Sequence, residues 1–347
     1  MLFIHETDCI SPQHSFPDPD IEELVESEKN KLYATEPVYQ GIPAGLLRRM
    51  GKAVKMGIGA AISLIKDREP LDGIIIGTAQ GGMEDCIKFL NQIIDYDEGL
   101  LAPANFVQST ANAIASQLGL LTNNKCYNMT HVHRGLAFEN ALLDAWIMVS
   151  DNPDKSFLLG GVDEISSYNY HIDYLDGWYK KEQISNKNLY ESISNGSIAG
   201  EGAAMFLVNG EKKFAVASVV AVEMIHSTDP AQISEKLYNL FEKQEIKAQD
   251  IDLMITGENG DGRMKRFCEA IEPSIMPVTK ICRYKHMCGE YPTASSFALW
   301  LACQILQGME IPQHMIKRNA EKRAIKRILM YNNFKGAQHS FILLSSI

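Results

Sequence analysis

The chain has 347 residues, 46% hydrophobic and 22% charged, with a formal net charge of −10. Its length predicts about two domains, its composition excludes a disordered chain, and its acidity excludes a nucleic-acid binder that works by general phosphate attraction. The seven cysteines are odd in number and include no CxxC pair, so neither a disulfide framework nor a cysteine zinc site is expected, and a reducing cytoplasm fits.

The N-terminus lacks a basic segment followed by an apolar run, and no apolar run is long enough to span a bilayer, so neither a signal peptide nor membrane insertion is expected. Residues 2 to 5 predict a first strand, and three prolines with the acidic run Asp18 to Glu28 an exposed connection. Ala44 to Ile65 reads as one helix, with apolar residues at three- and four-residue steps and Arg48, Arg49, Lys52 and Lys55 along it. The β-branched run 73–78 predicts a buried strand, followed by a helix over 83–94. Helices are predicted over 105–118 and 135–150, with a strand over 125–129 between them. Strands follow at 156–162, 203–208 and 214–222, the last two around a turn at Asn209-Gly210. Beyond them come a helix at 230–243, a strand at 251–255 and helices at 263–271 and 293–307. The last strand is 340–345. The apolar stretch 296–309 reads as a buried core helix. Strands alternating with helices predict α/β layers.

Short segments then fall in a recognisable order. Ile76-Gly77-Thr78-Ala79-Gln80-Gly81-Gly82 is an early strand and glycine turn, and Pro103, Phe106, Ser109 and Asn112 match a "P…F…S…N" helix opening. Leu159 to Glu164 matches "GG-x-E/D", Gly200 to Ala204 matches "GEGA", and Asn333 to Gln338 is similar to "FGGxN". Together they resemble the β-ketoacyl synthase (ketosynthase) family. That resemblance implies a thiolase-like α/β fold, two similar βαβαβ-type halves in five layers, with residues 1–210 and 211–347 as the halves.

The chemistry of the family departs at its centre. The resemblance places the nucleophilic cysteine at Val132, with His131 and His133 beside it, in a segment Asn128 to Gly135 that holds no cysteine. The family's first histidine has no counterpart in Ile255 to Asp261, whereas His286, in Lys285-His286-Met287-Cys288-Gly289-Glu290, keeps the second, catalytic or vestigial. Valine accepts no acyl group. His131 and His133 are left as candidates for nucleophilic or substrate contact. A His-x-His pair on a strand can bind metal, but no third ligand is evident and no metal is expected. Phe334 matches the family's gating phenylalanine, with Lys335 in place of the glycine after it, and Phe138 is a candidate tunnel residue. Arg48, Arg49, Lys52 and Lys55 are a candidate landing site for an acidic carrier protein.

The resemblance therefore implies a cysteine-less subunit of the chain-length-factor type. Such a subunit pairs with an active ketosynthase in fatty-acid, polyketide or aryl-polyene/flexirubin-type elongation. No cofactor is expected on the chain itself, and substrates would ride on the phosphopantetheine of an acyl carrier protein. A self-sufficient synthase or malonyl decarboxylase with a non-cysteine site, and a non-catalytic carrier-binding scaffold, are the alternatives.

Overall fold

The structure, a computed structural model, describes all residues except 40, 67, 69, 100, 102, 276, 278, 321 and 322. The strands among the described residues are β1 (Leu2–Ile10), β2 (Lys31–Leu32), β3 (Gly73–Gly77), β4 (Tyr127–His131), β5 (Phe157–Asp163), β6 (Ala199–Gly200), β7 (Gly202–Asn209), β8 (Ala217–His226), β9 (Leu253–Thr256), β10 (Lys280–Arg283), β11 (Ile316–Arg318), β12 (Arg327–Phe334) and β13 (Gln338–Ser345). Two five-strand units repeat one topology, in the orders β4-β3-β5-β7-β1 and β10-β9-β12-β13-β8, with β11 added outside β10. In each unit three parallel strands are followed by two antiparallel ones. The units join where Leu2, Phe3 and Ile4 of β1 pair with Val219, Ser218 and Ala217 of β8. The small β2 and β6 form a separate parallel pair.

Alternation along the strands builds the layers. Ile75, Leu159 and Phe206 join one central core with Ile255, Met330 and Ile342 of the other unit. Their neighbours Ile74, Ile76, Leu158 and Met205 face an outer core under helices Lys52–Ile65 and Ala113–Leu121. Met254, Leu329, Phe341 and Leu343 face another under helices Pro230–Lys243 and Lys265–Ile271. The central layer is the helices Ala137–Asp151 and Ala294–Leu306. The second is buried along nearly all its length, which explains an apolar sequence without a polar face. The five layers match the architecture implied by the resemblance.

The differences from the sequence reading have local causes. The helix expected from Ala44 to Ile65 is two, Ala44–Leu47 and Lys52–Ile65. The second starts at Lys52 because the carboxylate of Glu164 accepts the Ala53 amide at 3.1 Å, an anion at a helix N-terminus. The helix expected over 105–118 is likewise Pro103–Gln108 and Ala113–Leu121. The strands around Asn209-Gly210 are no hairpin, since β1 lies between β7 and β8 and takes an edge of each. Helix Ser167–Leu175 and strands β10 and β12 were not expected. The Asn332-Asn333 pair conceals β12; both asparagines are buried there, Asn332 accepting from Tyr284 Oη and Asn333 from the Gly336 amide.

Asp163, at the end of β5, anchors the centre. One carboxylate oxygen accepts from Thr78 Oγ1 (3.1 Å), Ala79 N (2.8 Å) and Gln80 N (2.6 Å), the other from Thr293 N (3.0 Å) and Thr293 Oγ1 (2.8 Å). It ties the turn after β3 to the start of the Ala294–Leu306 helix. Asp163→Ala strands these buried donors and is expected to cost ~3–5 kcal/mol in urea unfolding; a loss below ~1 kcal/mol would remove Asp163 from this role.

Candidate functional site

β4 runs parallel to β3 and ends at His131, where a tight turn leads through Arg134–Leu136 into the Ala137–Asp151 helix. Arg134 has φ 49°, in the left-handed region that L side chains avoid. The turn is held from across the molecule. Gln338 accepts from the Gly135 amide at 2.9 Å and donates to His133 O at 3.4 Å. A Cβ on Gly135 would overlap Phe334, so glycine is required there and the 334–338 loop lies directly on the turn. This is a nucleophile elbow in backbone shape. Val132, where the resemblance expects the nucleophile, is 57% exposed.

The flanking histidines are turned to separate partners. His131 Nε2–H donates to Asp144 Oδ2 at 2.8 Å, and Asp144 also accepts from Tyr127 Oη at 3.0 Å. His133 Nδ1 accepts from Asn140 at 2.9 Å, on the exposed side of the same helix. The two rings therefore do not converge on a common ligand position. Among the described residues no group of three His, Cys, Asp or Glu side chains is placed to hold a metal.

Within the segment Ile255 to Asp261, where the resemblance expects the family's first histidine, a Cβ on Gly257 would stand 2.5 Å from Asn332 Oδ1 and 3.3 Å from Lys285 Cε. The space is filled by Lys285, whose side chain is 0% exposed. Its ammonium donates to Glu290 Oε1 and Oε2 at 2.7 and 2.8 Å and to Asn333 O at 3.2 Å, and Asn259 Nδ2 donates to Glu290 Oε2 at 2.6 Å. The sequence reading missed this pair, although its signal was present. Lys285 and Glu290 are the two departures from the motif "GHxxGA", and they pair with each other.

His286 faces away from the elbow. His314 Nε2 bonds to the carbonyl of Ile21 at 2.9 Å and must donate there, so its Nδ1 is an acceptor. His286 Nε2–H therefore donates to His314 Nδ1 at 2.9 Å, and His286 Nδ1 accepts from Tyr190 Oη at 3.2 Å. Burial, with His314 and Arg283 nearby, holds the ring neutral by pushing its pKa down to about 3. Both ring nitrogens are committed, so the retained histidine has no free donor for a substrate carbonyl.

Phe334, the candidate gate residue, is buried against the elbow. Beside it, Lys335, Trp178, Tyr179, Asp261 and Glu290 help to line a cavity of only about 10 Å³, room for no more than one water. Phe138, the candidate tunnel residue, is fully buried in the central core, its ring 5.8 Å from that of Phe206. The basic cluster also divides. Arg48 and Arg49 are exposed, but Lys52 pairs with the buried carboxylate of Glu201, and Lys55 is half-buried. Glu201 accepts as well from Ala34 N (2.8 Å) and Ile165 N (2.9 Å), a structural role.

Comparison with known proteins agrees with this frame. Residues 25–175 match the sequence model of the β-ketoacyl synthase N-terminal domain. No curated protein matches the sequence. Among solved structures the chain is similar to the ishigamide ketosynthase/chain length factor, at 14% identity and TM-score 0.76, covering 100% of this chain and 99% of that one. A ketosynthase in complex with its chain length factor from Xenorhabdus doucetiae gives 10% identity and TM-score 0.76, covering 100% and 98%. A β-ketoacyl synthase from Burkholderia phymatum gives 13% identity and TM-score 0.75, covering 100% and 99%. The chain has the thiolase-type fold of these ketosynthase structures. Among the described residues no helix is long and apolar enough to cross a membrane.

Removing one member of a buried ion pair strands the other, so Lys285→Met is expected to cost ~3–5 kcal/mol in urea unfolding. The double variant Lys285→Met/Glu290→Leu should recover most of that loss. His286 supplies a pH test. Its folded-state pKa is depressed from 6.5 to about 3, so its stabilisation is full above pH 6.5 and is lost as pH falls toward 3. The stability advantage of wild type over His286→Gln should shrink by ~1.4 kcal/mol per pH unit below 6.5. A constant difference would mean that the ring is already charged in the native state.

Proposed function

We propose that this ketosynthase-like chain is the non-condensing member of a pair, a chain-length-factor-type subunit that docks beside an active ketosynthase. The observation that carries the reading is an elbow retained in backbone but occupied by Val132, next to an unpaired sheet edge. No acyl-enzyme can form on valine, and the neighbouring histidine space holds an ion pair. The cavity behind Phe334 is far below the several hundred Å³ that a ligand pocket needs.

The surface around the elbow supports a partner of the same fold. β4 is the last strand of its unit and pairs on one side only, with β3. Met129 and Val132 are exposed along it, Leu90 and Ile94 on helix Met83–Asp95, and Phe106 and Val107 on the next helix. An open edge flanked by apolar side chains calls for cover, and the matching edge of a second ketosynthase-fold chain supplies a continuous sheet. A cysteine-bearing partner also restores the missing nucleophile, which a second copy of this chain does not. Two of the similar solved structures are named for such pairs. Arg48 and Arg49 remain the exposed cations for an acidic carrier protein, whose phosphopantetheine would bring the substrates. A self-sufficient synthase would have His131 and Asp144 as a base pair, but the cavity behind Phe334 is too small for a substrate.

The test is co-expression with a ketosynthase encoded beside it, followed by intact-complex mass and an elongation assay. The expected result is a one-to-one complex that elongates only with both chains present. Elongation by this chain alone would overturn the reading. Met129→Lys, at the open edge, is expected to weaken the complex at least ~10-fold, about 1.4 kcal/mol, in a sedimentation titration. Unchanged affinity would move the interface elsewhere.

A further inference from the structure

The loop Phe334–Gln338 covers the elbow, and its second residue breaks the expected pattern. Lys335 stands where the resembling motif has glycine, at φ 53°, a backbone conformation that L side chains avoid. Glycine would fit that backbone without strain. What the lysine side chain does is therefore informative. Its ammonium pairs with Asp173 Oδ1 at 2.5 Å, both side chains being largely shielded from solvent. The same ammonium lies 5.1 Å from the centre of the Trp178 ring and 5.5 Å from that of Phe334. Trp178 has a second cation, the Arg263 guanidinium, 4.4 Å from its ring centre. Arg263 is itself fixed, donating to Asp261 at 3.0 and 2.6 Å and to Gly177 O at 2.8 Å.

Three segments distant in sequence thus close on one another. Asp173 comes from helix Ser167–Leu175, Arg263 from the turn after β9, and Lys335 from the loop between β12 and β13. The helix contributes no buried residue, so surface contacts of this kind hold it in place. The cavity under the clasp is the one of about 10 Å³ behind Phe334.

We propose that Lys335 is a latch, which binds Asp173 and Trp178 and holds the 334–338 loop shut over the elbow. The latch closes this chain's own cleft. In the pair proposed above, on which this consequence rests, it leaves thioester entry to the partner's cleft. The latch itself is a property of the single chain and is testable without a partner, so its failure and the failure of the pairing are distinguishable.

The test is hydrogen–deuterium exchange, read by mass spectrometry on the peptide covering residues 333–338 of the full chain. Asp173→Ala removes the ion partner, Lys335→Gly removes the latch at a position glycine accepts, and Lys335→Arg retains the charge and reach. In wild type the Gly336 amide is held by Asn333 Oδ1 at 2.9 Å and the Ala337 amide by Phe334 O at 3.2 Å. Both Asp173→Ala and Lys335→Gly are expected to speed exchange of this peptide at least tenfold, with Lys335→Arg within twofold of wild type. The proposal is overturned if either loss variant exchanges less than tenfold faster, or if Lys335→Arg exchanges as fast as Lys335→Gly. The glycine and alanine variants act on different segments, so a folding defect in one leaves the other as the test.

Discussion

A lysine ammonium and a glutamate carboxylate lie out of water where the ends of β9 and β12 meet the turn at 285–290, and the surrounding residues are arranged to satisfy them. Desolvating two charges is expensive, and close geometry with further hydrogen bonds is what makes the burial tolerable. Lys285 reaches both oxygens of Glu290 and the carbonyl of Asn333, and Asn259 completes the acceptor side. Gly257 is without a side chain because Asn332 and the Lys285 stem occupy the space where one would go. The ends of β9 and β12 and the turn at 285–290 are bound to one another through this pair. Where the resemblance would put a histidine facing a substrate, the chain has a filled, internally neutralised core.

The elbow shows how separable backbone and chemistry are. Its shape comes from elements remote from the reaction: the strand pairing of β4 with β3, the two hydrogen bonds of Gln338, and Phe334 lying on Gly135. None of these needs a nucleophile. Val132 therefore sits in a turn that remains fully built, and His131 and His133 are tied down to Asp144 and Asn140 of the following helix. His286 is similarly retained for a different use, as the middle of a buried chain from Tyr190 through His314 to Ile21. A residue kept in a motif is not evidence that its reaction is kept.

The same logic gives the molecule an inside and an outside. Inside, Asp163, Glu201 and the Lys285–Glu290 pair are satisfied by partners within the chain. Outside, Met129 on the edge strand β4 and apolar side chains on helices Met83–Asp95 and Pro103–Gln108 are exposed. Apolar surface still open to interaction thus lies near the elbow, which is the basis of the proposed pairing.

Glycine turns, β-branched runs and helical periodicity were enough to establish the α/β class, most of the strands and the order of the ketosynthase-like segments. The missing cysteine was equally plain, because a residue type is a local property. Legibility failed where the decisive energy is non-local. In Ala44 to Ile65 Gly51 is only a hint of a break, and Glu164, more than a hundred positions later in the chain, helps to set the start of the second helix. Nothing near Phe138 distinguishes a tunnel wall from a core, which depends on the strands packed over it. The fate of His286 was hidden because its tautomer is set by His314 and a carbonyl at Ile21. Lys285 and Glu290 were visible as departures from a motif, yet only the fold shows that they meet. The sequence by itself determined the architecture and the loss of the nucleophile, through local propensity and residue chemistry. Only the tertiary structure decided which polar groups are spent on one another, because burial and partnership arise when distant segments pack.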